Sequence, residues 1–236
     1  MRPELDLQRS IRPGLDILAN EIVIALRKRA RFPANPAVYE PGLVVSDRSM
    51  SLLDHVLRRE ERVHAELGRY LYASQEAFSD VSDVVPVIDR AAPPSPVQPM
   101  HSGMGPRLVA FWRQWIDTAC QPGTNPDTYG ETVTADVQAL LAIMERINLG
   151  KYVAESKLEA EPEAFARTGG EREGILALIV KPEREAQVLE LARKLARHYE
   201  LEPERAVEVF QWMIAATVDI EVDYIRMRLG LHRQHP

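Results

Sequence analysis

A long stretch with helical spacing of its apolar residues constrains the fold of this chain more than any other feature. Arg146 and Lys157 lie eleven residues apart within it, and at about 100° per residue they return to nearly the same face. Such a pair beside an apolar seam suits a small polyanion, and it is also typical of a solvated face. The spacing predicts one amphipathic helix over about 132–158, through Val133, Val137, Leu140, Leu141, Met144, Ile147 and Val153.

The rest of the chain also has helical patterns, separated by proline-rich breaks and with almost no strand signal. Ser51 or Asp47 is suited to cap the second helix, Pro182 and Pro203 suit first turns, and Gly230 suits a helix end. Residues 80–106 contain six prolines and are expected to form a long connection. Further helices are predicted at about 13–31, 49–74, 106–120, 172–180, 182–199 and 203–229.

These patterns together predict an all-α helical bundle. We expect a single domain over residues 1–236, with an N-terminal half of about 1–120 and a C-terminal half of about 130–236 that carries most of the site. The segment 15–18 leading to 27–29 is similar to the segment 135–137 leading to 145–146. This similarity favours two pseudo-duplicated halves.

Composition excludes several classes of protein. The chain has 236 residues and a net charge of -6, so it has no general basic field, and a nucleic acid is not expected as a partner. No apolar run reaches the length of a membrane span, and the first residues lack a signal-peptide core, so we expect a cytoplasmic protein that does not bind membranes. Cys120 is the only cysteine, which excludes an intrachain disulfide and a cysteine metal cluster.

Several polar residues stand at spacings that suggest a shared site. Thr217 and Glu221 are four residues apart on the last predicted helix, and Glu185 follows Lys181 by four on the helix before it. Arg12 precedes the first helix. Each has an ordinary explanation when taken alone, because a first-turn acid complements the helix dipole and a threonine often bonds back to its own helix.

Three blocks of the sequence, taken in order, resemble the all-helical chorismate mutases, in particular the longer fungal and plant-type enzymes. The first is 11–40, which contains Arg12 and, at 32–36, the pattern Phe-Pro-x-x-Pro. The second is 146–157, Arg-Ile-x-x-Gly-Lys-x-Val-Ala-Glu-x-Lys, and the third is 217–224, Thr-x-x-x-Glu-Val-x-Tyr. The resemblance covers nearly the whole chain.

The resemblance implies an enzyme that rearranges chorismate to prephenate in phenylalanine and tyrosine biosynthesis. This reaction is an intramolecular Claisen rearrangement that needs neither proton transfer nor a covalent intermediate. The protein therefore holds the compact conformer of the substrate and stabilises the charge that develops. The resemblance also implies a homodimer, no cofactor and no metal.

The resemblance assigns the four catalytic roles to Arg12, Arg146, Lys157 and Glu221. The two arginines would bind the carboxylates of the substrate, for which the guanidinium fork is suited. Lys157 and Glu221 would contact the ether oxygen of the bond that breaks, so loss of Lys157 should be severe. Because only a protonated carboxyl group can donate to that oxygen, we predict activity that favours mildly acidic pH.

The same resemblance extends the substrate-binding set to Glu185, Thr217 and Lys181. Glu185 would hold the ring hydroxyl, and Thr217 would hydrogen-bond near a carboxylate. Lys181 stands where relatives carry Asn or Asp, and a further cation at that place disfavours an amino group on the ring. This weighs against a substrate such as 4-amino-4-deoxychorismate.

A possible effector site is implied at the dimer interface, where the fungal enzymes bind an aromatic amino acid. Arg69, Gly130 and Thr134 match parts of its pattern, whereas Glu131 replaces a serine and Gly68 replaces an arginine. The match is therefore partial, and feedback control by tyrosine or tryptophan is not expected to follow from it.

Other readings remain open at this stage. The pair Glu61-x-x-His64 occurs once, whereas a helical di-iron site needs two such pairs, so a structural role is favoured. The same socket would also suit an enzyme acting on isochorismate or aminochorismate, which product identity would distinguish. A non-catalytic regulatory homologue is the third reading, and outward-facing Arg146 and Lys157 would favour it.

Overall fold

The computed structural model describes residues 5 and 7–231, and within these residues it contains helices and turns but no β-strand. The predicted all-α fold is confirmed. The ends of the predicted domain, residues 1–4 and 232–236, and residue 6 lie outside the described residues. The α-helices are α1 (Arg12–Arg29), α2 (Leu52–Glu66), α3 (Met104–Ala119), α4 (Tyr129–Asn148), α5 (Gly150–Ala160), α6 (Pro162–Arg167), α7 (Arg172–Ile179), α8 (Pro182–His198) and α9 (Pro203–Arg228).

Short helical turns join some of these helices, and the sequence signals explain most helix ends. A π-helical turn, Leu7–Ile11, leads directly into α1, and 3-10 turns lie at Pro36–Tyr39, Arg69–Leu71 and Pro126–Thr128. Pro182 and Pro203 open α8 and α9, where a missing N–H costs no helical hydrogen bond. The Ser51 hydroxyl caps α2 by accepting from the Asp54 N–H at 3.0 Å. No helix in the described part of the chain is long and apolar enough to cross a membrane.

The helices differ from the sequence prediction at three places. α2 ends at Glu66 rather than near residue 74, because Gly68 adopts a left-handed conformation (φ 77°) that stops the helix. α6, Pro162–Arg167, was not predicted. The single helix expected over 132–158 is divided into α4 and α5 on either side of Leu149.

Close packing of α5 against α9 accompanies the break between α4 and α5. A Cβ atom at Gly150, the first residue of α5, would lie 2.9 Å from Cγ2 of Thr217 on α9. Only glycine lets the two helices approach so closely without displacing a neighbour. The glycine therefore brings the helix that carries Lys157 against the helix that carries Glu221.

One contiguous apolar core joins the helices. α4 packs mainly on α1, and α9 packs on α5 and α8. Trp112 and Trp115 of α3 are fully buried and stacked with ring centroids 4.8 Å apart. Burying an apolar side chain of this kind contributes about 1.5–3 kcal/mol, so the core supplies the main stabilisation of the helix arrangement.

A buried ion pair locks α1 to α4. Nε of Arg29 lies 2.6 Å from Oδ1 of Asp136, and both side chains are fully buried. The Tyr39 hydroxyl donates to Oδ2 of Asp136 at 2.9 Å, and the Trp112 indole N–H donates to Oδ1 at 3.0 Å. Every oxygen of this carboxylate is thus hydrogen-bonded, which offsets the cost of burying the charge.

Lys151 anchors the proline-rich connection to α5. Its ammonium group is fully buried and donates to the carbonyl oxygens of Ser74, at 3.3 Å, and Met100, at 2.8 Å. Burial lowers the pKa of Lys151, while Glu76, 3.7 Å away, raises it. The long connection therefore wraps onto the helix that also carries Lys157.

Glu61 has the structural role favoured from the sequence. Its buried carboxylate accepts from the backbone N–H of Phe78 at 2.6 Å and of Ser79 at 2.9 Å. These bonds fix the start of the connection and use the oxygens that a metal would need. Within residues 5 and 7–231 no group of three or more His, Cys, Asp or Glu side chains is placed to hold a metal ion.

Candidate active site

A cavity of about 180 Å³ lies between the start of α1 and helices α4, α5, α8 and α9. Its volume suits one small ligand rather than a peptide or a dinucleotide. All seven substrate-binding residues predicted from the sequence line it, together with one residue that was not predicted. The polar lining consists of Arg12, Arg146, Lys157, Lys181, Arg184, Glu185, Thr217 and Glu221.

The cavity concentrates positive charge in an otherwise acidic chain. Five cationic side chains and two carboxyl groups line it, whereas the whole chain has a net charge of -6. Apolar side chains, including Leu15, Val153 and Ile214, form the remaining wall and exclude water from part of the surface. Such a site favours a small anion with an apolar body, because low-dielectric walls strengthen each charge interaction.

Lys157 and Glu221 form an ion pair at the contact between α5 and α9. Nζ of Lys157 lies 2.7 Å from Oε2 of Glu221 and donates to the carbonyl oxygen of Ile179 at 3.0 Å. Burial raises the pKa of Glu221, Lys157 opposes this, and the charge of Glu185 adds to the rise. The carboxyl group therefore keeps its proton to higher pH than an ordinary glutamate would.

A second buried network braces the same two helices. The Tyr224 hydroxyl, three residues after Glu221, donates to Oε2 of Glu155 at 2.7 Å. Arg228 grips both oxygens of Glu155, through Nε at 2.7 Å and Nη2 at 2.8 Å. Because Glu155 is two residues before Lys157, these bonds hold the backbone that positions the Lys157–Glu221 pair.

Arg146 is a buried cation without a carboxylate partner among the described residues. Its side chain lies over the ring of Phe210, 5.4 Å from the centroid, and its Nε–H has no hydrogen-bond acceptor. Burial lowers the pKa of Arg146 to about 10, while Asp16 raises it and Arg184 lowers it further. With 7% of its surface exposed, Arg146 does not belong to a solvated face, which overturns that reading of the sequence.

Arg12 and Thr217 line the cavity from α1 and α9. Arg12 is the first residue of α1 and is half-buried, and Pro13 and Gly14 are accommodated within the first turn. The Thr217 hydroxyl donates to the carbonyl oxygen of Met213 at 2.7 Å, which is the bond back to its own helix considered from the sequence. The oxygen of this hydroxyl can still accept a hydrogen bond from a ligand. The hydroxyl can donate to a ligand only if it rotates away from the Met213 carbonyl oxygen.

The start of α8 supplies the remaining polar wall. Lys181 precedes the helix and is exposed at the cavity, and Glu185, one turn later, is half-buried. Arg184 stands between them and lines the same cavity, although the sequence reasoning did not single it out. The sequence signal for Arg184 was its position directly before Glu185 in the first turn of α8. An arginine among acidic residues in a first turn is, however, typical of a solvated face.

The four residues of the possible effector site do not meet within one copy of the chain. Gly130, Glu131 and Thr134 are exposed at the start of α4. Arg69 instead pairs with Glu145 near the other end of α4, with Nη2 and Oε2 2.8 Å apart. At 1.5 Å per residue, about 22 Å of helix separates Gly130 from Glu145, so only a second copy would bring the two sets together.

Comparison with known proteins shows similarity to chorismate mutases. The family model described as "Chorismate mutase type II" matches residues 128–222, which carry Arg146, Lys157, Glu185 and Glu221. The chorismate mutase of Schizosaccharomyces pombe is 27% identical over 240 residues, covering 93% of this chain and 95% of that protein. Over nearly its whole length, this chain is thus similar to a fungal chorismate mutase. The chorismate mutase of Emericella nidulans is 29% identical over 249 residues, covering 95% of this chain and 93% of that protein.

Solved structures of chorismate mutases share the fold of this chain. A chorismate mutase from Candida albicans, in complex with L-Trp, superposes with a TM-score of 0.81 at 24% identity and covers 98% of this chain and 94% of its own. The chloroplast chorismate mutase of Zea mays gives a TM-score of 0.83 at 22% identity, covering 99% and 100%. The longer fungal and plant-type architecture predicted from the three sequence blocks is thus confirmed.

Proposed function

We propose that this chain is a chorismate mutase that converts chorismate to prephenate in the cavity lined by Arg146, Lys157 and Glu221. The observation that carries the proposal is Arg146, a buried guanidinium that lacks a carboxylate partner in the described part of the chain. Burying an unpaired charge is costly, and an anionic substrate removes that cost by pairing with it. Chorismate supplies two carboxylates on a small apolar ring.

The residues of the cavity divide the work of an intramolecular rearrangement. Arg12 and Arg146 would bind the two carboxylates and hold the substrate in its compact conformer. Lys157 would donate to the ether oxygen, where negative charge grows as the carbon–oxygen bond breaks. Glu221 would donate to the same oxygen in its protonated form, which the raised pKa of this group supports.

Glu185 and Thr217 would complete the contacts to the substrate. Glu185 has a carboxylate suited to accept from the ring hydroxyl, and Thr217 would rotate from the Met213 carbonyl oxygen to reach a carboxylate. Lys181, exposed at the same wall, adds positive charge near the ring position. A ring amino group would be protonated and repelled there, which favours chorismate over aminochorismate.

We further propose that the whole chain acts as one domain, in the cytoplasm and as a homodimer, in the synthesis of phenylalanine and tyrosine. One relative, from Zea mays, is named as a cytosolic chorismate mutase, which supports the location. Exposed apolar side chains on α2, at its C-terminal end and in the connection offer a face that a second copy would cover: Val63, Leu67, Val85, Val87 and Ile88.

Turnover of chorismate tests this function directly. The purified protein is incubated with chorismate between pH 5 and 8, and the loss of chorismate absorbance and the appearance of prephenate are followed. We expect turnover in the parent and a fall in kcat of about 10²–10³-fold in Lys157→Ala, because one donor to the developing charge is lost. Lys194→Ala, an exposed lysine on α8 outside the cavity, is the matched control and should equal the parent.

The outcomes separate the competing readings. No turnover of chorismate across this pH range would refute the proposal. Faster conversion of isochorismate or 4-amino-4-deoxychorismate, shown by product identity, would move the protein to the related class of enzymes. Equal activity of Lys157→Ala and the parent would refute the assignment of the cavity while leaving the reaction in place.

A further inference from the structure

Arg184 is the cationic residue of the cavity that has no assigned role. It lies in the first turn of α8, three residues after Lys181 and directly before Glu185. Its Nη1 donates to the side-chain oxygen of Gln187 at 3.1 Å, and its Nη2 lies 3.9 Å from Oδ1 of Asp16 on α1. Both partners hold it loosely, because the Asp16 contact is at the outer limit of an ion pair and both side chains are partly exposed.

Arg228 of the same protein is an arginine whose guanidinium is fully engaged by a structural partner. It binds both oxygens of the buried Glu155 at 2.7 and 2.8 Å, a bidentate arrangement that fixes the guanidinium. Arg184 has no such arrangement, although it lines a cavity and is only 38% exposed. Its planar fork is therefore available to a ligand with little structural loss.

The charge of Arg184 acts on Arg146 across the cavity. Besides burial, Asp16 and Arg184 are the two groups that alter the pKa of Arg146, and they do so in opposite directions. Asp16 lies 3.9 Å from Arg184 and is 57% exposed, so it is only a weak, solvated counter-ion for this part of the cavity. An anion placed between the two guanidinium groups would relieve their repulsion more effectively than this solvated carboxylate.

We infer that Arg184 is a further substrate-binding residue, which leaves Asp16 and joins Arg146 in holding a carboxylate of the substrate. This inference rests on the proposed function, since it names a second cation for the same anion. The contact exists in both the bound substrate and the transition state. The contact of Arg184 should therefore lower KM with little effect on kcat. Lys157 differs, because it acts on the breaking bond.

Steady-state kinetics of Arg184→Gln with chorismate test the inference. We expect KM to rise about tenfold while kcat stays within about twofold of the parent, because one charge-assisted contact of uniform strength is lost. Arg184→Lys keeps the charge but loses the fork, and its KM should rise about threefold. Arg193→Gln is the matched control, since Arg193 lies on the same helix, is 32% exposed and pairs loosely with Glu190 and Glu204.

Each outcome decides one question. A KM for Arg184→Gln within twofold of the parent would overturn the inference, as would a fall in kcat at unchanged KM. An equal rise in KM for Arg193→Gln would also overturn it. That result would show that KM depends on the overall positive charge of this helix rather than on a contact between Arg184 and the substrate. If Arg184→Gln does not fold, the KM of Arg184→Lys decides in the same way. Lack of turnover by the parent would instead refute the proposed function, and the inference with it.

Discussion

Two arginines of this protein are buried to a similar extent, but only one of them has a carboxylate partner among the described residues. Arg29 of α1 is fully buried, and its guanidinium reaches Asp136 at 2.6 Å, the Ala34 carbonyl oxygen at 2.9 Å and the Tyr39 hydroxyl at 2.9 Å. Burial lowers the pKa of Arg29, but Asp136, Tyr39 and Cys120 together raise it, and the net direction is upward. The neighbours of Arg29 thus favour its charged form despite burial.

Arg146 of α4 is buried almost as deeply and lacks these partners in the described structure. Its Nε–H is unsatisfied, an aromatic ring lies beneath it, and burial lowers its pKa to about 10. We propose that this difference reflects different roles. A buried arginine with every donor satisfied holds helices together, whereas one with an unsatisfied donor is kept at a cost that a ligand can recover.

Removing the Arg146 charge gives the largest expected effect and tests the ligand side of the comparison. Arg146→Met should lower kcat/KM for chorismate by about 10³-fold, because a bidentate carboxylate contact in a low-dielectric site is lost. The melting temperature should stay equal or rise, since an unpaired buried charge is replaced by an apolar side chain. Kinetics and thermal unfolding measure the two quantities, and activity within tenfold of the parent would contradict the assignment.

Removing the Arg29 charge tests the structural side. Arg29→Met should lower the free energy of unfolding by about 3–5 kcal/mol, because Asp136 is left as a buried, unpaired carboxylate. Urea unfolding measures this change, and KM measured on the folded fraction should equal that of the parent. Arg31→Met, an exposed arginine two residues later, is the control and should change stability by less than about 0.5 kcal/mol. Unchanged stability of Arg29→Met would break the comparison.

Glu221 gives a smaller effect, which depends on pH. In the proposed mechanism the protonated carboxyl group donates to the ether oxygen, so its contribution would be present below the raised pKa of Glu221 and lost as the pH rises through it. Lys157 and Glu185 are the charged groups that act on this pKa. Above that pKa, kcat of the parent should fall by about tenfold per pH unit, whereas Glu221→Gln, whose amide donates at every pH, should not show this fall.

The pH profiles of three proteins complete this test. The parent and Glu221→Gln are compared with Glu183→Gln, in which an exposed acid of the first turn of α8 is removed. Glu183→Gln should keep the profile of the parent. A Glu221→Gln profile that coincides with that of the parent would show that Glu221 does not donate a proton in the reaction.

Local signals in the sequence were sufficient for most of the fold. Prolines at the first positions of α8 and α9, and the serine that caps α2, placed these helices within three residues of their observed starts. The break at Leu149 could not be predicted in this way. It occurs beside the close approach of Gly150 to Thr217, residues that are far apart in the sequence.

The site residues were predicted from three sequence blocks and their order along the chain, rather than from the chemistry of the individual side chains. Spacing put Thr217 and Glu221 on one helix face, but their meeting with Lys157 required a resemblance over three blocks. Arg184 and the buried Arg29–Asp136 pair escaped prediction. The first has a pattern shared by many solvated helix starts, and the second joins residues 107 positions apart.

Lys151 allows the proline-rich connection to vary in length. Since one ammonium group holds the carbonyl oxygens of both Ser74 and Met100, the 25 residues between them form a loop that is closed at its base. The entropy of closing a loop rises only with the logarithm of its length, by about 0.6 kcal/mol for each doubling. Insertions and deletions at the exposed crest of this loop, around residues 83–92, therefore leave the base and the helix beneath it in place.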